Sequence, residues 1–219
     1  GPNRMLKILI ASGNSHKHHE ISRLLETSGL GGVELIRPRD LELDTPPPDP
    51  EENGSTYFEN ARIKAIAFSQ WSGLPALADD SGLEVDAIGG EPGRQSARYA
   101  GENVDFQANI DKVLGALRSV PKERRGGRFI CSLVLCHGEE VLFSGEGSCP
   151  GTVLEAMTGA DGFGYDPIFE PAGETRSFAQ FSDTEKDSRS HRGIAFALFV
   201  DHLRTNPVHP LGSKGQPLR

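Results

Sequence analysis

The chain has 219 residues, 36% of them hydrophobic, which is enough to bury a sizeable core as one large or two small domains. Its 23 Lys and Arg stand against 31 Asp and Glu, giving a net charge of −8 and a pI near 5.4, so no basic stripe is available for a polynucleotide. No run reaches the roughly 18 apolar residues of a membrane span and none resembles a signal peptide, which predicts a cytoplasmic protein without membrane contact. Cys131, Cys136 and Cys149 are odd in number and lack metal-ligand spacing, and are expected to be reduced thiols.

Gly1-Pro2 ahead of Arg4-Met5 reads as the remnant of a cleaved tag. Leu6 to Ala11 is a compact apolar run followed by Ser12-Gly13-Asn14 and then by Ile21, Leu24 and Leu25 at helical spacing, which predicts strand, tight turn and helix up to Gly29. Val33–Ile36 reads as a second strand. Residues 38–54 hold Pro46, Pro47, Pro48 and Pro50 among acids, which forbids regular structure. Thr56 with Glu59 fits a capping box, and Phe58, Ala61, Ala65 and Phe68 then predict a helix up to Gly73.

A strand over Ala76 to Asp80 follows, then a helix around 105–120 with Ile110, Val113, Leu114 and Leu117 as its buried stripe. Arg128 to Leu135 and Glu140 to Glu146 read as strands joined in a hairpin at His137-Gly138-Glu139. Gly159 to Pro167 is glycine-rich loop, and Ser188 or Ser190 is placed to cap a last helix running to about Arg204. Residues 206–219 read as a polar, proline-containing frayed tail. Alternating strands and helices with a hairpin insertion predict an α/β fold over residues 6–204, a single domain of two lobes about a cleft.

Five stretches can carry chemistry. Ser12-Gly13-Asn14-Ser15-His16-Lys17 lies where a strand meets a helix N-terminus, a place whose N–H groups favour anions, and Lys17 adds a positive charge; the spacing is not that of a Walker A loop. His16, His18 and His19 are read as a solvated first helical turn rather than a metal cluster. Asp79 and Asp80 end a strand of an α/β sheet on two unpaired carboxylates, which calls for a cation, and hard oxygen ligands suit Mg²⁺. Alternation of side chains aims one into the cleft and leaves the other to support it. The rival reading is a turn, since Asp-Asp-Ser-Gly is good turn chemistry. Glu51-Glu52-Asn53-Gly54 could deliver a further carboxylate. Phe163-Gly164-Tyr165-Asp166-Pro167 offers aromatics and a carboxylate in a glycine-flexed loop suited to a flat ring, with core packing of Phe163 as the alternative. Lys186 and Ser190-His191-Arg192 add donors near a helix start.

Taken in order, SGNSHK, EENGSTYFENARIKA, ADDSGLEVDAIGGEPGRQSARYAG, TGADGFGYDPIF and EKDSRSHRG resemble the inosine triphosphate pyrophosphatase family, nucleoside triphosphate diphosphatases that remove ITP, dITP and XTP. The resemblance covers Ile8 to about Leu203. It implies a mixed α/β structure of two lobes about a deep cleft, a homodimer, and Mg²⁺-dependent release of pyrophosphate from a purine nucleoside triphosphate.

By position it assigns phosphate binding to Ser12, Gly13, Asn14, Ser15, His16 and Lys17, metal binding to Glu52 and Asp80, and the acid-base role to Asp80 with Asp79 in support. Ser81, Phe163, Gly164, Tyr165, Asp166, Lys186, His191 and Arg192 fall on its remaining substrate contacts. Lys17 and Lys186 are expected to offset charge on phosphate oxygens, and Arg192 or His191 to donate to a carbonyl at C6 of the base. The turn opens on Ser12 where the family has Thr, and the prolines before Glu51 leave Glu51 as the alternative to Glu52. Two rivals differ in class. A Maf-like pyrophosphatase of other base specificity is opposed by the SHR and FGYD blocks, and a non-catalytic nucleotide-binding dimer is opposed by the complete set of carboxylates.

Overall fold

The computed structural model describes residues 5–206, so the expected tag remnant at 1–4 and, beyond Asn206, the expected tail lie outside the described residues. The chain order is β1 Leu6–Ile10, α1 Ser15–Ser28, β2 Val33–Ile36, α2 Tyr57–Ser72, β3 Ala76–Val85, α3 Phe106–Ala116, β4 Gly126–His137, β5 Glu140–Val153, β6 Phe169–Pro171, α4 Asp183–Asp187 and α5 His191–Thr205. The strands form one mixed sheet in the order β2-β1-β3-β4-β5-β6. β1 pairs parallel with β2 and with β3, and β5 pairs antiparallel with β6. The fold class is therefore the α/β class expected. β4 and β5 are joined by two residues, Gly138 at φ 60° and Glu139, as a hairpin requires.

The chain forms two compact units. Among the described residues the first comprises 5–80, 132–145 and 195–206, the second Ser81–Cys131 and Glu146–Ile194. In the first unit β1 is buried at Leu6 and from Ile8 to Ile10, the continuous apolar run of a parallel strand flanked on both sides, and Leu9, Ala61, Ala65, Phe68, Ala76 and Val134 share its core. In the second, Leu83 and Val85 pack with Ile110, Val113 and Leu117 of α3 and with Phe129, Phe169 and Phe178. The three cysteines are buried and none is in a disulfide. Among the described residues no helix is long and apolar enough to cross a membrane.

Local chemistry sets the helix ends. Asn14 caps α1, with its side chain accepting from Lys17 N, and Gly29 at φ 72° closes it. Thr56 Oγ1 accepts from Glu59 N at 3.0 Å as the capping box requires, but Glu59 Oε2 reaches one residue further back, to Ser55 N at 2.7 Å. Gly193 N donates to Ser190 Oγ at 3.0 Å, which makes Ser190 rather than Ser188 the cap of α5.

Three expectations are corrected. β3 does not stop at Asp80 but continues through Ser81 and Gly82 to Val85, because Leu83 and Val85 have a core of their own to enter; the paired acids are mid-strand, and the turn reading of Asp-Asp-Ser-Gly fails. α3 stops at Ala116 instead of near Val120, one residue after Gly115. α4 and β6 were not expected. α4 carries a Ser182–Glu185 capping box that was legible, whereas the three residues of β6 are too few to show a period.

Candidate active site

In the first unit β3 sends Asp79 and Asp80 to opposite faces, and each meets a lysine. Asp79 Oδ1 lies 3.1 Å from Lys17 Nζ, so the lysine of the turn at the start of α1 is paired with a carboxylate whose side chain is only 3% exposed. That turn is tied internally. Asn14 N donates to Ser12 Oγ at 3.0 Å, and the buried His18 ring donates from Nε2 to the Ser12 carbonyl. His18 is thus a structural pin and not the solvated residue expected, while Gly13, Ser15, His16 and His19 are exposed. Beside the turn is a cavity of about 460 Å³, walled by Gly13, Ser15 and His18 and by Leu41, Pro46 and Trp71 of the proline-rich loop and α2. Trp71 Nε1 donates to Thr45 O at 3.0 Å and anchors that loop.

On the other face of β3, α2 supplies two polar side chains one turn apart. Lys64 Nζ lies 3.0 Å from Glu52 Oε1 and 3.9 Å from Asp80 Oδ1, and donates to Asp79 O at 2.6 Å. Asn60 Nδ2 donates to Asp80 Oδ2 at 3.4 Å. Of the two candidate glutamates it is Glu52 that turns inward, while Glu51 is exposed. Burial pushes the Asp80 carboxyl up to about 6, with Glu52 and Asp79 adding to the rise and Lys64 and Asn60 opposing it. Burial pulls the Lys64 ammonium down, but Asp79, Glu52 and Asp80 outweigh it and hold the pKa above its ordinary value.

Three carboxylates therefore face two ammoniums, an excess of one negative charge in a largely buried setting. Among the described residues no group of three or more His, Cys, Asp or Glu is arranged to hold a metal ion. Two carboxylates with open positions fit Mg²⁺, which keeps waters and takes substrate phosphates as ligands instead of needing an all-protein cage. Lys64 and Asn60 are the residues that sequence reasoning missed. Their signal was present, since they stand four apart on a helix whose inward positions include Ala61, Ala65 and Phe68.

In the second unit the glycine-flexed loop is built around one carboxylate. Asp166 Oδ2 accepts from Lys186 Nζ at 2.7 Å and from Phe163 N at 3.0 Å, and a Cβ on Gly162, at φ 76°, would stand 2.5 Å from that same oxygen. Lys186 Nζ lies 4.5 Å from the centroid of the Phe163 ring, and the Arg192 guanidinium carbon 5.8 Å from it. Arg192 Nη2 donates to Ser81 Oγ at 3.3 Å. The two aromatics of the loop part ways. Tyr165 is buried in the core with its hydroxyl donating to Ser96 O at 2.6 Å, whereas Phe163 is half-buried and stays outside the core cluster. Of the two, only Phe163 is partly exposed. His191 is buried and stacked on Phe129 at 4.7 Å with 15° between planes, a contact the sequence did not announce. Gly193 is required behind it, since a Cβ there would meet Asp187 O at 2.0 Å.

The chain matches the Ham1 family over residues 8–202. It is 44% identical over 202 residues to the dITP/XTP pyrophosphatase of Salmonella paratyphi A, covering 91% of this chain and 99% of the relative. Against the dITP/XTP pyrophosphatase of Mycobacteroides abscessus the identity is 45% over 202 residues, covering 91% and 95%. Among solved structures, a HAM1 protein from Coxiella burnetii superposes with a TM-score of 0.81 at 38% identity, covering 92% of this chain and all of the other. The Staphylococcus aureus Ham1 protein gives 0.77 at 36%, covering 91% and 98%.

Proposed function

We propose, from the premise that this chain belongs to the Ham1 family, that it hydrolyses the non-standard purine nucleoside triphosphates ITP, dITP and XTP to the nucleoside monophosphate and pyrophosphate. The relatives' activity supports the reaction class. The observation that carries the reading in this chain is the buried group in the first unit, where Asp80 stands with Glu52 and Lys64 beside it and Lys17 on the opposite face of the strand.

In the reaction, water attacks the α-phosphorus. A new P–O bond forms, the bond from that phosphorus to the oxygen bridging to the β-phosphorus breaks with its electron pair leaving on pyrophosphate, and the proton of the water passes to the Asp80 carboxylate. Asp80 stands where a carboxylate can take that proton, flanked by Lys64 and Glu52 in a largely buried setting. Glu52 and Asp80 would hold Mg²⁺, which would supply positive charge to the phosphate oxygens. Lys17 and Lys64 add donors for the anionic chain, with Asp79 holding Lys17 in place. Ser12, Gly13, Asn14, Ser15 and His16 at the start of α1 offer the helix end to a phosphate.

The loop of the second unit serves the base. Phe163 provides the stacking face, Asp166 and Lys186 fix the loop, and Arg192 provides donors with no acceptor atom. A carbonyl at C6 accepts from such a donor, whereas the amino group of adenine leaves it unpaired at a desolvation cost. Lys186, paired with Asp166, fixes the base loop. The homodimer rests on the family resemblance. Pyrophosphate release from ITP, XTP, ATP and dTTP, with Mg²⁺ and with excess EDTA, tests the reading. Metal-dependent release from ITP and XTP is expected, and equal release from ATP or full activity in EDTA would contradict it.

A further inference from the structure

Asn60 is 2% exposed, and the two ends of its amide are used in opposite senses. Gly54 N donates to Asn60 Oδ1 at 2.7 Å, and because a backbone N–H can only donate, the carbonyl end must face it. The NH₂ end is then turned to Asp80 Oδ2, which can only accept when ionised. Gly54 follows Glu52 by two residues and is pressed against α2. A Cβ there would lie 2.6 Å from Glu59 Cβ and 2.8 Å from Asn60 Oδ1.

One rigid side chain therefore joins the turn carrying Glu52 to the carboxylate of Asp80. Lys64, one helical turn on, touches the same two acids as a flexible point charge, which can neutralise them but cannot set their spacing. Two like charges held close in a buried place repel, and a neutral group bonded to the turn on one side and to the carboxylate on the other can fix their positions where a flexible cation only offsets the repulsion. Asn60 has the donor and the acceptor that this requires.

We infer that Asn60 is a positioning residue that fixes the Glu52-bearing turn against Asp80, and that the affinity of the first unit for a divalent cation depends on it. This rests on the reading of Glu52 and Asp80 as the metal carboxylates. Asn60→Leu keeps the bulk and removes both bonds, Gly54→Ala crowds the Asn60 carbonyl end together with Glu59 of the first turn of α2, and Thr56→Ala loosens that same turn by removing its cap without touching the amide, which controls for the helix start.

In the full chain, Mn²⁺ binding followed by electron paramagnetic resonance, and the Mg²⁺ concentration giving half-maximal pyrophosphate release from ITP, are measured alongside thermal midpoints. Asn60→Leu and Gly54→Ala are expected to weaken Mn²⁺ binding and to raise the half-maximal Mg²⁺ concentration, each by about tenfold or more, the effect of about 1.4 kcal/mol. The KM for ITP at saturating Mg²⁺ should move far less. Thr56→Ala should lower the thermal midpoint and leave the Mg²⁺ requirement unchanged. Wild-type Mn²⁺ binding and Mg²⁺ requirement in both Asn60→Leu and Gly54→Ala would overturn the inference while leaving the metal reading intact. Should Asn60→Leu fail to fold, Gly54→Ala decides alone. A wild-type chain that needs no divalent cation would overturn both.

Discussion

Lys64 Nζ stands 3.0 Å from Glu52 Oε1, so the glutamate of an irregular, proline-bounded loop is neutralised by an ammonium from a helix. The same ammonium donates to the Asp79 carbonyl at 2.6 Å. Replacing it with an apolar chain of similar length leaves three acids facing one remaining lysine.

Lys64→Met should therefore cost more than a surface ion pair would. Losing a charge-assisted contact of about 1.5–3 kcal/mol predicts a fall in kcat/KM for ITP of roughly 10- to 150-fold. Steady-state kinetics at saturating Mg²⁺ check this, and a variant within about twofold of wild type would remove Lys64 from the phosphate site.

Asp80→Asn separates function from stability. Hydrolysis of ITP should fall by at least about 100-fold, as the amide is neither a base nor a good ligand. The folded chain without metal should meanwhile gain stability near pH 8. Burial raises the Asp80 pKa from 3.8 to about 6, so between those values the folded state holds more protons than the unfolded, and stability from this group grows as pH falls and is lost as pH rises through 6. The amide removes that cost, a gain of about 1–3 kcal/mol at pH 8 that shrinks to nearly nothing at pH 4. Urea unfolding in EDTA at the two pH values measures it. An equal or larger gain at pH 4 would contradict the burial account.

The Lys186–Asp166 pair, 2.7 Å apart with side chains 8% and 5% exposed, should behave as a buried ion pair. Lys186→Met alone leaves an uncompensated carboxylate and should cost about 3–5 kcal/mol, and adding Asp166→Asn should return part of it. The double variant keeps an acceptor for Phe163 N but loses the cation over the ring, so activity on ITP should stay low while stability recovers. Denaturant unfolding and ITP kinetics on the single and double variants test this. Additive losses of stability would show that the two residues do not act as a pair.

Much of this was legible because local rules decide it. The αL glycines at 29 and 73, the Asn14 and Thr56 caps and the apolar run of β1 each speak within a few residues of where they act. The acids at 79 and 80 raised the right question, since a strand that carries two adjacent carboxylates needs cations on both faces, and Lys17 and Lys64 stand there. What stayed hidden depends on pairing across the chain. Nothing near Phe129 shows that His191 will stack on it, and His18 resembles its solvated neighbours until the Ser12 carbonyl is placed beside it. The length of β3 was missed because the polar Asp-Asp-Ser-Gly stretch looks like a turn when the core entered by Leu83 and Val85 is not in view.

Arg192 tests the choice of base. Its Nη2 is held by Ser81 Oγ at 3.3 Å and its guanidinium lies toward the Phe163 ring, so Arg192→Ala should lose ITP activity by roughly 10- to 150-fold while leaving the weak ATP activity nearly unchanged. An unchanged ratio of kcat/KM for ITP over ATP would mean that another group reads C6.

The most direct measurement of the central claim is a product assay on the wild-type chain with Mg²⁺ and ITP as substrate, resolving pyrophosphate from inorganic phosphate, with ATP run in parallel. The account predicts IMP and pyrophosphate in equal amounts, no IDP, and kcat/KM for ITP at least about 100-fold above that for ATP. Release of inorganic phosphate with IDP, or equal turnover of the two nucleotides, would contradict it.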